Sequence, residues 1–219
     1  MPDLALELAH GADRGRIVIG IDEAGRGPWA GPVVAAAVWL NPVGPRPAFF
    51  GEFDDSKTLP PKVRDRLYTQ IMHESRTQRP PPLVVATGQA SVAEIDRINV
   101  LQGTFLAMRR AVEALTFPKG ARPDVALVDG NRTPELPCPA VHIVKGDSQS
   151  LSIAGASIVA KVTRDRLMDG LAATHPGYGW ERNRGYGTAE HRAALKTLGV
   201  TPEHRRSFRP IREIINITR

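Results

Sequence analysis

Short apolar runs of strand length, separated by segments with helical periodicity, commit this chain to an alternating α/β architecture. Arg16 to Ile21 and Val33 to Leu40 are two such runs, joined by the connection DEAGRGPWAGP. Both read as successive buried strands. Leu83 to Thr87 is a shorter candidate, and Val125 to Val128 and Val141 to Val144 add two more. Between them, Lys62 to Met72 repeats Val63, Leu67 and Ile71 at helical spacing before prolines in TQRPPPL end it. Ser91 opens SVAEID, a capping-box pattern with Glu94, and helical periodicity continues through Leu101, Phe105, Met108, Val112 and Leu115. Ser148 to about Leu171 predicts a further helix whose Ala154, Gly155, Ala156 and Ala160 permit close packing on a sheet. NPVGPRPAFFGEF and Pro118 to Pro123 read as loops.

A chain of 219 residues with 42% hydrophobic content supports one substantial core, and no repeat or long linker divides it. A single domain over 1–219 is the expectation. The one cysteine, Cys138, excludes an intramolecular disulfide and a thiolate metal cluster, and in ELPCPA it reads as a packed bystander. No apolar run approaches a membrane span, and the N-terminus MPDLALELAH carries acids where an export signal needs a basic segment. A cytoplasmic, monomeric protein is therefore expected. The formal charge is +6, with a sequence pI near 9.9, which favours polyanionic partners. In the tail HRRSFRPIREIINITR, Arg205, Arg206, Arg209, Arg212 and Arg219 face a single Glu213, so this end reads either as a phosphate-contacting edge or as a solvated basic terminus.

Three of the apolar runs end alike, in IGIDE, ALVDG and IVKGD. Side chains at strand ends are held rigidly while neighbouring loops admit substrate, so Asp22, Glu23, Asp129 and Asp147 form a candidate acidic cluster. The alternative is that these acids cap strands or face solvent. If they converge, their repulsion calls for hard divalent cations with oxygen ligands, magnesium or manganese, and the six histidines offer no zinc spacing. Paired cations among carboxylates suit phosphoryl transfer. Gly25 and Gly27 can free backbone amides for an anion while Arg26 adds a charged fork, or they can make an ordinary turn. Lys57 and Lys145 are candidate phosphate ligands, and Tyr178 and Tyr186 in GYGWERNRGYGT can stack on a sugar or close a core edge. No dinucleotide fingerprint, ATPase phosphate loop or GxSxG elbow is present.

Taken in order, DEAGRGPWAGPVVAAAV, DDSKTL, INVLQGTFLAMRRAV, LVDGNR, VKGDSQSLSIAGASIVAKVTRDR, NRGYGT and HRRSF resemble bacterial ribonuclease HII from about Ile19 to Pro210. The resemblance implies a ribonuclease H-like fold, a mixed central sheet flanked by helices, with a C-terminal helical extension that includes 188–219. It implies that Asp22, Glu23, Asp129 and Asp147 are the catalytic, metal-binding carboxylates for two Mg2+ or Mn2+ ions. It further implies that Gly25, Arg26 and Gly27 grip the backbone at a ribonucleotide-to-deoxyribonucleotide junction, that Tyr186 stacks on the sugar beyond, and that Lys57 contacts phosphate. Gly155 stands where alanine is more usual, and Arg184, a further candidate substrate contact, stands where lysine is common. The implied substrates are RNA/DNA hybrids and duplex DNA containing ribonucleotides. The alternatives are a non-catalytic hybrid binder and another metal-dependent nuclease of the same fold. Ribonuclease HIII usually carries an extra N-terminal domain, for which the about sixteen residues before the first strand leave no room.

Overall fold

The computed structural model describes residues 1–44, 46–77 and 80–217. Five strands form one sheet: β1 (Val18–Ala24), β2 (Val33–Leu40), β3 (Leu83–Ala90), β4 (Val125–Asp129) and β5 (Ala140–Ile143), in the order β3-β2-β1-β4-β5. β1, β2 and β3 pair antiparallel, whereas β4 runs parallel to β1 and β5 parallel to β4. The sheet is therefore mixed. β1 lies at its centre and is buried on both faces, which is why its sequence is a continuous apolar run.

The helices are α1 (Ala5–Ala9), α2 (Pro61–Thr77), α3 (Val92–Glu113), α4 (Leu151–Thr174), α5 (Trp180–Asn183), α6 (Ala189–Leu198) and α7 (Arg209–Ile217). One sheet face packs on α4 and α2 through Ala36, Val38, Leu67, Ile71, Ala154 and Ile158. The other packs on α3 through Ile19, Ile21, Ala35, Ala107, Met108 and Ala111. A third cluster, with Ala30, Met168, Trp180, Leu195 and Ile211, joins the chain after α4 to the main body. Among the described residues, no helix is long and apolar enough to cross a membrane.

Several local expectations change. The proline-rich segment contains a 3-10 helix, Ala48–Glu52, because Phe49, Phe50 and Phe53 bury their rings against one another. α2 begins at Pro61 and extends to Thr77; Pro45, Gln78 and Arg79 lie outside the described residues. The Ser91 capping box is present, but the helix it starts is interrupted at Asn99, with φ 68° and ψ 165°. The Asn99 side chain then caps the restart, accepting from the amides of Leu101 and Gln102 at 3.0 and 3.1 Å. The helix expected from Ser148 starts at Leu151, because Gly146–Ser148 forms a 3-10 turn and Ser150 is the cap.

α4 meets β1 so closely that only glycine fits at position 20. A Cβ there would lie 2.3 Å from Ile153 N and from Ser152 C, both backbone atoms. The N-terminal segment holds α4 in that position. Glu7 Oε1 accepts from Ser150 Oγ at 2.7 Å, Ser152 N at 2.9 Å and Ser152 Oγ at 2.6 Å, while Leu151 N donates to Asp3 O at 2.8 Å. Gly20→Ala is expected to cost roughly 3 kcal/mol in denaturant unfolding, at the upper end of overpacking substitutions, because neither backbone can yield cheaply. An unchanged unfolding midpoint would contradict this account of the interface.

Candidate active site

Strand parity decides which acids can meet. Alternate residues of β1 face opposite sides, so Ile19 and Ile21 enter the core under α3 while Gly20 lies against α4. Asp22 consequently points to the α4 side and Glu23 to the α3 side. In β4, Leu127 packs with Ile153 of α4, and Asp129 two positions on shares that side. Parallel pairing aligns Ile21 with Val128 and brings Asp22 beside Asp129. Asp147 arrives on the turn before α4, which is tied to the end of β4 by Gly146 N donating to Asp129 Oδ1 at 2.7 Å.

One ligand oxygen from each of Asp22, Asp129 and Asp147 lies within 4.8 Å of the others. Glu23 stands apart from this trio and accepts from Arg26 Nη1 at 3.2 Å. The strands also run further than expected: Asp22 and Glu23 remain in the ladder opposite Ala36 and Ala35, so β1 carries its acids within the sheet on its β2 side.

Burial, followed by repulsion from Glu23 and Asp129, holds the Asp22 carboxyl well above the usual carboxylate range, although Ser157 and the Glu23 amide pull the other way. Burial raises Glu23 as well, and the adjacent Arg26 offsets part of this. Asp147 is raised by burial and then by Asp129 and Asp55. Three hard oxygen donors under mutual repulsion fit a divalent cation, which would compensate the charge that the protein leaves uncompensated. Burial would lower the Lys57 ammonium, but Asp55, Asp22, Asp147 and Asp129 together outweigh it and raise it. Lys57 Nζ lies 4.0 Å from Asp55, on the exposed rim of the acids.

The loop after β1 is shaped by two buried arginines. Arg205 donates to Gly25 O at 2.6 Å, Arg26 O at 2.9 Å and Gly31 O at 2.8 and 3.0 Å. Arg164 donates to Pro32 O, Ala30 O and Arg184 O at 3.0, 3.1 and 3.1 Å. In a trans peptide the carbonyl and the following amide point oppositely. Holding the carbonyls of Gly25 and Arg26 inward therefore turns the amides of Arg26 and Gly27 away from Arg205. Gly25 adopts φ +98°, and a Cβ on it would lie 2.0 Å from Arg164 Nε. Burial lowers these guanidiniums to about 9 for Arg205 and about 10 for Arg164.

Tyr186 is 48% exposed and borders Gly27, whose built Cβ would lie 3.4 Å from the Tyr186 ring. A cleft of about 240 Å³ lies between Gly25, Gly27, Lys57, Lys161 and Tyr186. On the other side of Arg26, a second of about 380 Å³ is bounded by Glu23, Asp129, Asn131, Arg132 and the apolar side chains of Leu101, Phe105 and Met108. Tyr178 takes the core alternative, stacked on Trp180 with its hydroxyl donating to Gly199 O. Arg184 pairs with Asp165 and Asp169, away from the acids. Lys145 is exposed at φ 55° on the Asp147 turn. Arg205 corrects the reading of the tail as a uniform basic edge, since it is fully buried; Arg219 lies outside the described residues.

The sequence reading missed Ser157, Lys161 and Arg164, which line the smaller cleft from one face of α4. Their spacing of four and then three residues is a helical stripe, a signal that was present amid the small core residues.

The mixed sheet and its three convergent carboxylates define a ribonuclease H-like protein with a candidate divalent-metal centre. Residues 19–211 match the family model of ribonuclease HII. The chain belongs to the ribonuclease HII family. It is 57% identical over 215 residues to the ribonuclease HII of Rhodospirillum rubrum, covering 98% of this chain and 92% of that protein. It is 56% identical over 211 residues to that of Paramagnetospirillum magneticum, covering 96% and 97%. In fold it is similar to the crystal structure of ribonuclease H2 from Pyrococcus horikoshii OT3, with TM-score 0.70 at 23% identity, over 91% of this chain and 97% of that one.

Proposed function

We propose that this protein is an endonuclease that hydrolyses the RNA strand of RNA/DNA hybrids and cuts on the 5′ side of ribonucleotides embedded in duplex DNA. The products carry a 3′-hydroxyl and a 5′-phosphate. The supporting observation is the convergence of Asp22, Asp129 and Asp147 in a chain that belongs to the ribonuclease HII family. Two Mg2+ or Mn2+ ions held there would orient water, neutralise the scissile phosphate and stabilise the leaving oxygen. Asp22, central in the sheet, would hold the ions together with Asp129 and Asp147, and Glu23 would serve from the opposite face as a ligand or an orienter of water.

The remaining residues set register. The amides of Arg26 and Gly27, with the Arg26 side chain, hold the backbone at the junction, and Lys57 engages a phosphate at the rim of the acids. Tyr186 stacks on the sugar after the ribonucleotide, where an added 2′-hydroxyl would disturb the contact. Lys145 and Arg184 supply peripheral positive charge. The protein works as a single-domain cytoplasmic monomer. Purified protein with Mg2+ or Mn2+ should cut a duplex containing one ribonucleotide, and a long hybrid, while sparing all-DNA duplex. Equal cutting of all-DNA duplex would favour a different metal-dependent nuclease. Hybrid binding without scission would favour an inactive binder.

A further inference from the structure

Behind Tyr186 lies a buried network that the reaction does not otherwise use. His191 and His204 are both fully buried, as is Trp180 beside them. His191 Nδ1 lies 2.9 Å from Tyr186 O, and its Nε2 lies 3.1 Å from Trp180 Nε1 and 3.1 Å from His204 Nε2. The partners fix the protons. A carbonyl only accepts, so His191 Nδ1 carries hydrogen and donates to Tyr186; an indole N–H only donates, so His191 Nε2 is the acceptor. His204 Nδ1 accepts from Thr201 N at 3.0 Å, so His204 carries its proton on Nε2 and donates it to His191. One neutral tautomer of each ring is compatible with these contacts, with the single lone pair of His191 Nε2 shared between the Trp180 and His204 donors.

The end of that chain is a backbone with little stiffness of its own. Tyr186 sits between Gly185, at φ +82°, and Gly187, and glycines on both sides leave its peptide planes poorly determined by local sterics. External contacts supply the definition. Trp29 N donates to Gly185 O at 2.8 Å, Tyr186 N donates to Asn183 O at 2.8 Å, and the Trp29 ring covers Gly187 so closely that a Cβ there would lie 2.2 Å from it. The Tyr186 carbonyl receives Thr188 N at 2.8 Å and, from outside the loop, His191 Nδ1.

We propose that His191 is a positioning residue for ribonucleotide recognition: through Nδ1–H it fixes the Tyr186 peptide, and so sets the ring of Tyr186 against the sugar beyond the junction. This rests on the sugar-stacking reading of Tyr186. The two halves of the imidazole have separate duties. Nε2 gathers Trp180 and His204 and serves the packing of α5 and α6, whereas Nδ1 serves the substrate side.

Two near-isosteric substitutions separate those duties. In His191→Asn the amide nitrogen overlays Nδ1 and can still donate to Tyr186 O, while the Nε2 acceptor is lost. In His191→Gln the amide reaches the Nε2 position and the Nδ1 donor is lost. The quantity to measure is kcat/KM on a single-ribonucleotide duplex divided by kcat/KM on a long hybrid, on folded protein below each variant's melting temperature. His191→Gln should lower this ratio by about tenfold, the value of one well-placed hydrogen bond, and His191→Asn should keep it within about twofold of the parent despite a lower melting temperature. Equal ratios in the Asn and Gln variants overturn the proposal, because a purely structural histidine would affect both alike.

Tyr186→Ala is measured alongside. If it leaves the ratio unchanged, the sugar-stacking reading falls; if it lowers the ratio while His191→Gln does not, only the role of His191 falls. Should a variant not fold, nitrogen-15 NMR on the parent decides. The His191 Nδ1–H resonance should move when a single-ribonucleotide duplex binds in EDTA, and a resonance that stays in place overturns the proposal.

Discussion

Asp22→Asn is expected to lose at least about a thousandfold in turnover and yet, in metal-free buffer at neutral pH, to melt higher than the parent protein. The two effects share a cause. Asp22 is 5% exposed, and burial and the charges of Glu23 and Asp129 raise its carboxyl well above the usual range. A carboxyl with a folded-state pKa above its unfolded value favours the folded state fully below the unfolded pKa, near 3.8, and loses that contribution as pH rises through the folded value. At neutral pH the carboxyl therefore opposes folding. Asparagine keeps an oxygen for the Glu23 amide, which donates to Asp22 Oδ1 at 2.7 Å, and removes the charge. A rise of at least about 3 °C is expected by calorimetry, since each kcal/mol moves a domain of this size by about 2–4 °C. Added Mg2+ or Mn2+ should raise the melting temperature of the parent and have much less effect on the variant. Near-normal cleavage by Asp22→Asn would remove it from the metal centre, and a lower metal-free melting temperature would refute the electrostatic account.

Local chemistry made much of this site legible. The runs Val33–Leu40 and Val125–Asp129, the Ser91 capping box and the placing of Asp22, Asp129 and Asp147 at or just beyond their strands all follow from short-range pattern, because side-chain period and capping act over a few residues. Glu23 is less legible: the ladder continues through Asp22 and Glu23 and parity turns their side chains to opposite faces of the sheet, while the charge of Glu23 still raises the Asp22 carboxyl. Asn99 was hidden for a different reason: the apolar spacing resumes in phase after the interruption, so periodicity alone reads one helix where the backbone makes two. The buried arginines were hidden by distance. Nothing local distinguishes Arg205 from Arg206, yet one is fully buried under the glycine loop and the other is exposed.

Arg205 carries the second large effect. Its guanidinium bonds to Gly25, Arg26 and Gly31 across a sequence separation of 174 to 180 residues, so the C-terminal segment shapes the loop after the first strand. No carboxylate accepts from it in these bonds, and burial lowers it to about 9, a penalty that subtracts from what the hydrogen bonds provide. Arg205→Met removes the penalty but leaves three carbonyls without this donor, those of Gly25 and Gly31 buried and that of Arg26 partly so, each worth about 1–3 kcal/mol when unsatisfied and buried. The carbonyls should prevail, with a net loss of about 3–5 kcal/mol and a melting temperature lower by about 10 °C. The catalytic consequence should appear mainly in KM at matched folded fraction, because the freed loop no longer directs the Arg26 and Gly27 amides toward the substrate backbone while Asp22, Asp129 and Asp147 keep their own supports in β1, β4 and the turn before α4. Arg205→Lys should recover little of either effect. It restores the charge, but a single ammonium lacks the planar fork that reaches Arg26 O from one nitrogen and Gly25 O from the other. If Arg205→Met melts with the parent and binds the single-ribonucleotide duplex equally well, the loop holds its shape without Arg205 and the guanidinium is a passenger in its core.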